Sequence, residues 1–190
     1  QMFKDGNFHR SKKKLKKQDI RININGQQVE LFFSPQGYTM NRGVIPLIKK
    51  AKKSIDVSIF FLTHKNVSKE LVAAKNRGVE VRVIIDATSA TNGYSKHNYL
   101  REKGISVKVE NWGSKMHMKS AIIDKKHLIL GSMNWTSAGE SKNDENTLII
   151  KNANDSKSYQ RFFDLLWNSI GKKWLLIDPL AESHDSFTSC

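Results

Sequence analysis

Two periodicities of apolar residues alternate along this chain and predict strands interleaved with helices. On both sides of Asn25-Gly26, apolar residues occupy every second position between Ile22 and Phe33, which predicts a β-hairpin with a two-residue turn. Apolar residues spaced three or four apart predict helices over residues 41–53, 66–77, 94–103 and 156–170. Short apolar runs predict buried strands over residues 55–62, 79–86, 105–110 and 147–151, and a polar loop is predicted over 87–93.

Strands that alternate with helices in this way are typical of an α/β protein whose sheet is mostly buried between helices. A chain of 190 residues is long enough for one domain with a substantial core. We expect a basic N-terminal arm over residues 1–21, one folded domain over 22–178 and a C-terminal tail over 179–190.

Charge is the most unusual bulk property. The chain carries 32 Lys and Arg against 18 Asp and Glu, a formal net charge of +14. The predicted arm alone holds eight basic and two acidic residues, or +6. Such a balance favours a polyanionic partner, either nucleic acid or an anionic membrane surface contacted through the arm. A solvated basic tail with no partner is the alternative interpretation of the arm.

The cysteine content and the first residue of the chain bear on disulfides, metal binding and location. Cys190 is the single cysteine, so neither an intrachain disulfide nor a cysteine-based zinc site is expected. The sequence contains no run of eighteen apolar residues, so no membrane-spanning helix is predicted. Because the chain begins with Gln1, we expect a processed or truncated form, with a secreted, periplasmic or membrane-tethered location favoured over the cytoplasm.

The strongest chemical signal is the run from His117 to Asn134. It contains His117-x-Lys119-x4-Asp124, and then Gly131-Ser132-x-Asn134 after a short apolar stretch. An imidazole can attack phosphorus or shuttle a proton, while an ammonium and an amide can hold the non-bridging oxygens of a phosphodiester. The hydroxyl of Ser132 can orient its neighbours. This chemistry requires no metal or other cofactor, and none is expected.

Strand alternation sorts these residues by face. His117 and Lys119 are two positions apart and should point together, whereas Asp124 should point away. Ser132 and Asn134 share a face by the same parity. The pattern therefore predicts a two-stranded platform of four polar groups, with Asp124 as an ion-pair partner in the scaffold and Gly131 as a structural residue.

This spacing of His, Lys and Asp followed by Gly-Ser-x-Asn resembles the signature of the phospholipase D superfamily. Glu145 lies eleven residues after Asn134, as in the small bacterial endonucleases of that superfamily. Phe33-Ser-Pro35 and residues 55–60 also resemble the first strands of its members, so the resemblance covers roughly residues 28–170. It implies a mixed sheet with helices on both faces, and a Glu145 carboxylate that orients His117.

Only one copy of the motif is present, whereas displacement at a phosphodiester benefits from two imidazoles. One attacks phosphorus, and the other protonates the leaving oxygen. Members of the superfamily with a single motif are expected to pair about a two-fold axis, so we expect a homodimer in which each subunit contributes His117.

The sequence leaves the substrate open. Nucleic acid cleavage with little sequence specificity is favoured by charge, with single-stranded DNA preferred and duplex DNA or RNA as alternatives. Lys115, Trp112 and Trp135 flank the motif and are candidate substrate-binding residues, although the tryptophans could equally be core or rim residues. The second reading is hydrolysis of an anionic phospholipid such as cardiolipin. The third is a nucleic-acid-binding protein without catalytic activity.

Overall fold

The computed structural model describes residues 20–153 and 156–178, and its fold is built on one eight-stranded sheet. The strands are β1 (Ile20–Ile24), β2 (Gln27–Ser34), β3 (Ser54–Ile59), β4 (Glu80–Asp86), β5 (Ser106–Glu110), β6 (Lys119–Ile123), β7 (His127–Gly131) and β8 (Glu145–Lys151). Their order across the sheet is β1-β2-β8-β7-β6-β3-β4-β5. β3, β4 and β5 pair in parallel and the other neighbours are antiparallel, which confirms the predicted mixed sheet.

Helices cover both faces of this sheet. They are a π-helical turn (Met40–Val44) that continues into α1 (Ile45–Lys50), then α2 (Lys65–Asn76), α3 (Ala87–Ala90), α4 (His97–Glu102), α5 (Ser137–Ser141), α6 (Ser156–Ser169) and a 3-10 turn (Lys172–Leu175). Residues of α1, α2 and α4 pack with Ile85 in the larger apolar cluster, whereas Phe163 of α6 packs with Ile84 in a smaller one. Neighbouring strand residues point to opposite faces, so these clusters lie on opposite sides of the sheet. Among the described residues, no helix is both long and apolar enough to cross a bilayer.

The boundaries differ from the predicted ones at a few places. The hairpin turn is confirmed, because Asn25 and Gly26 both have positive φ, +49° and +80°. The predicted polar loop after β4 begins with the short helix α3, because the carboxylate of Asp86 accepts a hydrogen bond from the backbone N–H of Thr88 and caps it. Ile20 and Arg21, assigned above to the arm, already belong to β1. The rest of the arm and the tail from residue 179 lie outside the described residues.

A buried ion-pair network attaches α6 to the sheet. Arg82 on β4 makes two hydrogen bonds with Asp56 on β3, at 2.7 and 2.8 Å, and a third with Asp164 on α6 at 2.8 Å. Gln160 on α6 also donates to Asp56, at 2.7 Å. The guanidinium carbon of Arg82 lies 4.9 Å from the ring centroid of Phe163. This network fixes the helix against the sheet while satisfying a carboxylate that is only 1% exposed.

Candidate active site

The polar residues of the motif gather at one edge of the sheet. The parallel strands β3, β4 and β5 end at this edge, β6 starts there with Lys119, and β8 starts there with Glu145. His117 lies in the segment just before β6, and Ser132 and Asn134 lie just after β7. The predicted platform of two strand faces is therefore wrong in detail. Of the four groups only Lys119 belongs to a strand, and the others stand on the loops at the strand ends.

His117 and Lys119 form the centre of this edge. The ammonium Nζ of Lys119 donates to the backbone carbonyl of His117 at 2.7 Å. The imidazole of His117 is exposed, and its ring lies 4.7 Å from that of Phe60 between centroids. Nζ of Lys119 lies 5.0 Å from the same phenyl ring. Phe60 therefore provides an apolar wall against which both groups are packed while the imidazole faces solvent.

The surroundings favour the neutral form of His117. Desolvation by the surrounding protein lowers the pKa of this imidazole, the positive charges of Lys119 and Lys115 lower it further, and the carboxylate of Asp86 acts in the opposite direction. The imidazole of His117 therefore stays neutral, the form that can act as a nucleophile, to a lower pH than an ordinary histidine. Desolvation also lowers the pKa of the Lys119 ammonium, against the raising effects of Glu145 and Asp86.

Asn134 and Ser132 complete the edge from the other side. The side-chain oxygen of Asn134 accepts a hydrogen bond from the backbone N–H of Phe61 at 3.3 Å, which leaves its two N–H donors for an anion. The hydroxyl of Ser132 donates to Glu145 at 2.6 Å and accepts from the backbone N–H of Asn146 at 3.1 Å. Ser132 thus connects the loop after β7 to the start of β8.

Glu145 has a different partner from the expected one. Its carboxylate accepts hydrogen bonds from Ser132 and, at 3.2 Å, from the side-chain amide of Asn143. Within the described chain no hydrogen bond joins Glu145 to the ring of His117, so the expected orienting contact is absent from the single chain. Its charge still acts on Lys119, whose pKa it raises. Within one chain, Glu145 therefore positions Ser132 and stabilises the charged form of Lys119.

Asp124 belongs to the scaffold, as expected, but it lies in the turn after β6 and not on a strand face, and it acts through hydrogen bonds to the backbone. Its carboxylate accepts from the backbone N–H groups of Lys52, Lys53 and Ser54 at 2.7 to 3.1 Å, at the sheet edge opposite to His117. No ion pair of Asp124 is found among the described residues. Gly131 is structural because β8 passes close to it. A Cβ atom there would collide with the backbone oxygen of Asn146.

We expect Asp124→Asn to destabilise the protein by roughly 1–3 kcal/mol while leaving the activity per folded molecule within about twofold of wild type. The asparagine side chain has one oxygen acceptor in place of two, and its NH2 group would face backbone N–H groups that donate to the carboxylate in wild type. Urea denaturation followed by circular dichroism measures the loss. Glu102→Gln, at an exposed carboxylate, is the matched control.

The pH dependence of this difference gives a second check. Burial acts to raise the pKa of Asp124, but hydrogen bonds from Lys53, Lys52 and Ser54 outweigh it, and the net pKa lies below the ordinary 3.8. A carboxyl whose pKa is depressed by folding stabilises the fold above its unfolded pKa. The advantage of wild type over Asp124→Asn should therefore shrink as the pH falls below about 4. A catalytic role for Asp124 would appear instead as lost activity with unchanged stability.

The three candidate substrate-binding residues differ in exposure: one is buried and two are exposed. Trp135 is only 2% exposed, and its backbone carbonyl accepts from the N–H groups of Thr63 and His64 at 3.0 and 2.9 Å. The substrate-binding assignment of Trp135 is therefore wrong, because its indole fills the core beneath the loop that carries Asn134. Trp112 is 51% exposed and Lys115 is also exposed, and both lie on the segment that leads to His117.

Sequence reasoning missed two residues of this edge. Phe60 was assigned to a core strand, yet its ring contacts both His117 and Lys119. Asp86 was treated only as the last residue of a strand, although its carboxylate influences both His117 and Lys119. Asp86 could have been found from the sequence, because it lies at the carboxyl end of a predicted strand and functional sites in α/β folds gather at such ends.

The described residues contain no cluster of three or more His, Cys, Asp or Glu side chains arranged to hold a metal ion. The side chains at the candidate site are instead donors suited to a phosphate: one imidazole, one ammonium and one amide. This arrangement can bind a phosphodiester and present an imidazole nitrogen to its phosphorus.

Comparison with known proteins agrees with the fold. A family model described as "Cardiolipin synthase, PLD-like domain" matches residues 44–167. The solved structure of Nuc from Salmonella typhimurium, a phospholipase D family member, is 30% identical and superposes with a TM-score of 0.71, covering 82% of this chain and 99% of Nuc.

Curated relatives are similar at the level of sequence. The human mitochondrial cardiolipin hydrolase is 29% identical over 80% of this chain and 60% of its own length. A phospholipase D from Rickettsia conorii is 33% identical over 67% of this chain and 63% of its own length. The chain thus spans about three fifths of the length of these two relatives. Since the family model covers well over half of the chain and includes every residue of the motif, the chain belongs to the phospholipase D superfamily.

Proposed function

We propose that this protein is a phosphodiesterase that uses His117 as its nucleophile and acts as a homodimer. The observation that carries this proposal is the exposed imidazole of His117, which packs on Phe60 beside the ammonium of Lys119 and at the same edge as the amide of Asn134. A binding protein without activity would need positive charge at this edge but no solvent-facing imidazole.

The reaction proceeds in two displacements. Nε2 or Nδ1 of His117 attacks phosphorus, the bond from phosphorus to the leaving oxygen breaks, and His117 of the partner subunit donates a proton to that oxygen. The same partner imidazole then takes a proton from water, whose oxygen attacks phosphorus and releases His117. Lys119 and Asn134 stabilise the charge on the non-bridging oxygens in both steps.

Among the described residues, no second imidazole lies at this edge, so the proposed acid comes from the partner subunit. His64 is buried and caps α2 by accepting from the N–H of Val67, and His97 is hydrogen-bonded to Asp178. His127 lies at the opposite edge of the sheet, where its ring accepts from the N–H of Asn152. In the described part of the chain, His117 is thus the imidazole that the catalytic edge presents.

Nucleic acid is the proposed substrate, with single strands preferred. The net charge of +14 favours an extended polyanion, because Lys and Arg contacts to phosphates supply most non-specific affinity for nucleic acids. Exposed Lys115 and Trp112 beside His117 offer one phosphate contact and one stacking surface. This chain matches Nuc, a phospholipase D family member, over nearly the whole length of Nuc, which supports a catalytic unit of that family within this chain.

A phospholipid such as cardiolipin is the second candidate substrate. The description of the matching family model and the name of the human relative both refer to cardiolipin. Two aromatic side chains that follow the strand ends of the catalytic edge are also exposed, Tyr94 by 78% and Trp112 by 51%. Aromatic residues of this kind are enriched where proteins meet a membrane interface.

A substrate panel separates these candidates. We expect the purified protein to cleave single-stranded DNA faster than duplex DNA, RNA or cardiolipin in vesicles, and to keep its rate with EDTA in excess. Cardiolipin turnover without cleavage of any nucleic acid would reverse the order of the two substrates. Loss of all activity in EDTA would overturn the metal-free mechanism. Tight binding of single strands without cleavage of any substrate would favour the non-catalytic alternative.

A further inference from the structure

Two buried carboxylates stand side by side beneath the segment that carries His117. Asp86 is the last residue of β4 and Glu110 is the last residue of β5. The two lie side by side in the pairing of these parallel strands. Each is only 2% exposed. Buried carboxylates require hydrogen-bond partners, and both obtain them from backbone N–H groups of the loops at this edge.

Asp86 is bonded to the residue next to the nucleophile. One carboxylate oxygen accepts from the backbone N–H of Met116 at 2.8 Å, and the other accepts from Thr88 at 2.8 Å as the cap of α3. Met116 immediately precedes His117 and is itself buried. The carboxylate therefore fixes the backbone at the point where the chain leaves the core and presents the imidazole to solvent.

Glu110 holds the other end of the same segment. Its carboxylate accepts from the backbone N–H of Trp112 at 2.5 Å. Burial raises the pKa of Glu110 and the neighbouring charge of Asp86 raises it further, whereas the backbone N–H groups of Trp112 and Met116 lower it. Glu110 is thus an anchor of the segment whose ionisation is opposed by Asp86.

We propose that Asp86 is a positioning residue of the active site, which fixes the backbone that carries His117 and supplies the negative charge that opposes Lys119 and Lys115. This role rests on the proposed function of His117. The ring of Phe60, just after β3, packs against the imidazole, and the charged groups that act on it are Asp86 at the end of β4, Lys119 on β6 and Lys115 on its own segment. Asp86 is the one acidic group of that set.

The charge of Asp86 has a measurable consequence. The first displacement needs one neutral His117, which attacks phosphorus, and one protonated His117, which donates its proton to the leaving oxygen. The rate of this step therefore depends on pH as a bell whose two limbs belong to the imidazole pair. Desolvation, Lys119 and Lys115 lower the pKa of His117, and Asp86 raises it. Removing the charge of Asp86 therefore moves both limbs, and the optimum between them, to lower pH.

The test compares Asp86→Asn with Glu110→Gln, which removes a carboxylate one strand away and keeps an oxygen that can accept from Trp112. The pKa of His117 is followed by NMR titration of its ring signals, assigned by their loss in His117→Ala. This readout needs no activity, so it stands even if the proposed reaction is wrong. Hydrolysis of bis(4-nitrophenyl) phosphate between pH 4 and 9 supplies the rate profile.

We expect Asp86→Asn to titrate His117 at lower pH than wild type, to shift the rate optimum in the same direction and to lower kcat roughly 10- to 100-fold through misplacement of the imidazole. Glu110→Gln should leave the His117 titration where it is in wild type. An unchanged His117 titration in folded Asp86→Asn would overturn the proposal, and so would an equal shift in both variants. If Asp86→Asn does not fold, Asp86→Glu is measured instead. An unmoved His117 titration together with an unchanged kcat in Asp86→Glu would also overturn the proposal. A shifted titration without diester hydrolysis by wild type would contradict the proposed function alone.

Discussion

His117→Ala abolishes diester cleavage, with an expected loss of at least about 10⁴-fold in kcat, the scale seen when an enzyme loses its covalent nucleophile. No other described group can replace the imidazole at this edge, since His64, His97 and His127 are buried, paired or remote. The side chain is exposed and its ring makes no hydrogen bond within the described residues, so the fold should be unaffected. Initial rates on the preferred substrate of the panel measure the loss.

The matched control is His127→Ala, which removes the same ring from the opposite edge of the sheet. It should retain wild-type cleavage, although it loses the hydrogen bond from Asn152 and with it roughly 1 kcal/mol of stability. Thermal denaturation should give the same Tm for His117→Ala and wild type. Substantial cleavage by folded His117→Ala would remove His117 from the role of nucleophile.

The fold was largely predictable because its local signals agree with one another. The period of apolar residues located the described hairpin and the later strands, and Asn25-Gly26 predicted the turn that positive φ confirms. Parity along a strand predicted that Asp124 and His117 point to opposite faces, but both lie outside β6, and the structure separates them by placing them at opposite ends of that strand. Family membership followed from the spacing of the motif.

Details of the site were less predictable because they depend on how loops cross the ends of strands. Trp135 was assigned to substrate because it adjoins Asn134, yet the chain turns there and buries the indole. Glu145 was assigned to His117, yet within the described chain its carboxylate accepts from the hydroxyl of Ser132. The contact between Asp86 and the N–H of Met116 joins residues thirty positions apart, and no local pattern encodes it.

Mixed dimers provide the second large effect. When wild type and His117→Ala are unfolded together in urea and refolded at a 1:1 ratio, random pairing makes about one quarter of the dimers fully wild type. A dimer with one His117 lacks either the nucleophile or the acid, so it should be nearly inactive. Total activity should therefore fall to about one quarter of that of the same amount of protein made only of wild type, and not to one half.

The shape of the response distinguishes shared sites from independent ones. With shared sites the activity follows the square of the wild-type fraction, so that excess His117→Ala acts as an inhibitor, whereas independent chains give a straight line. Refolding wild type with His127→Ala tests the mixing itself and should give the sum of the two activities. Light scattering on each mixture reports the mass, which should be twice that of one chain. A linear response, or an active species with the mass of a single chain, would refute the shared site and require that one chain supply both the nucleophile and the acid.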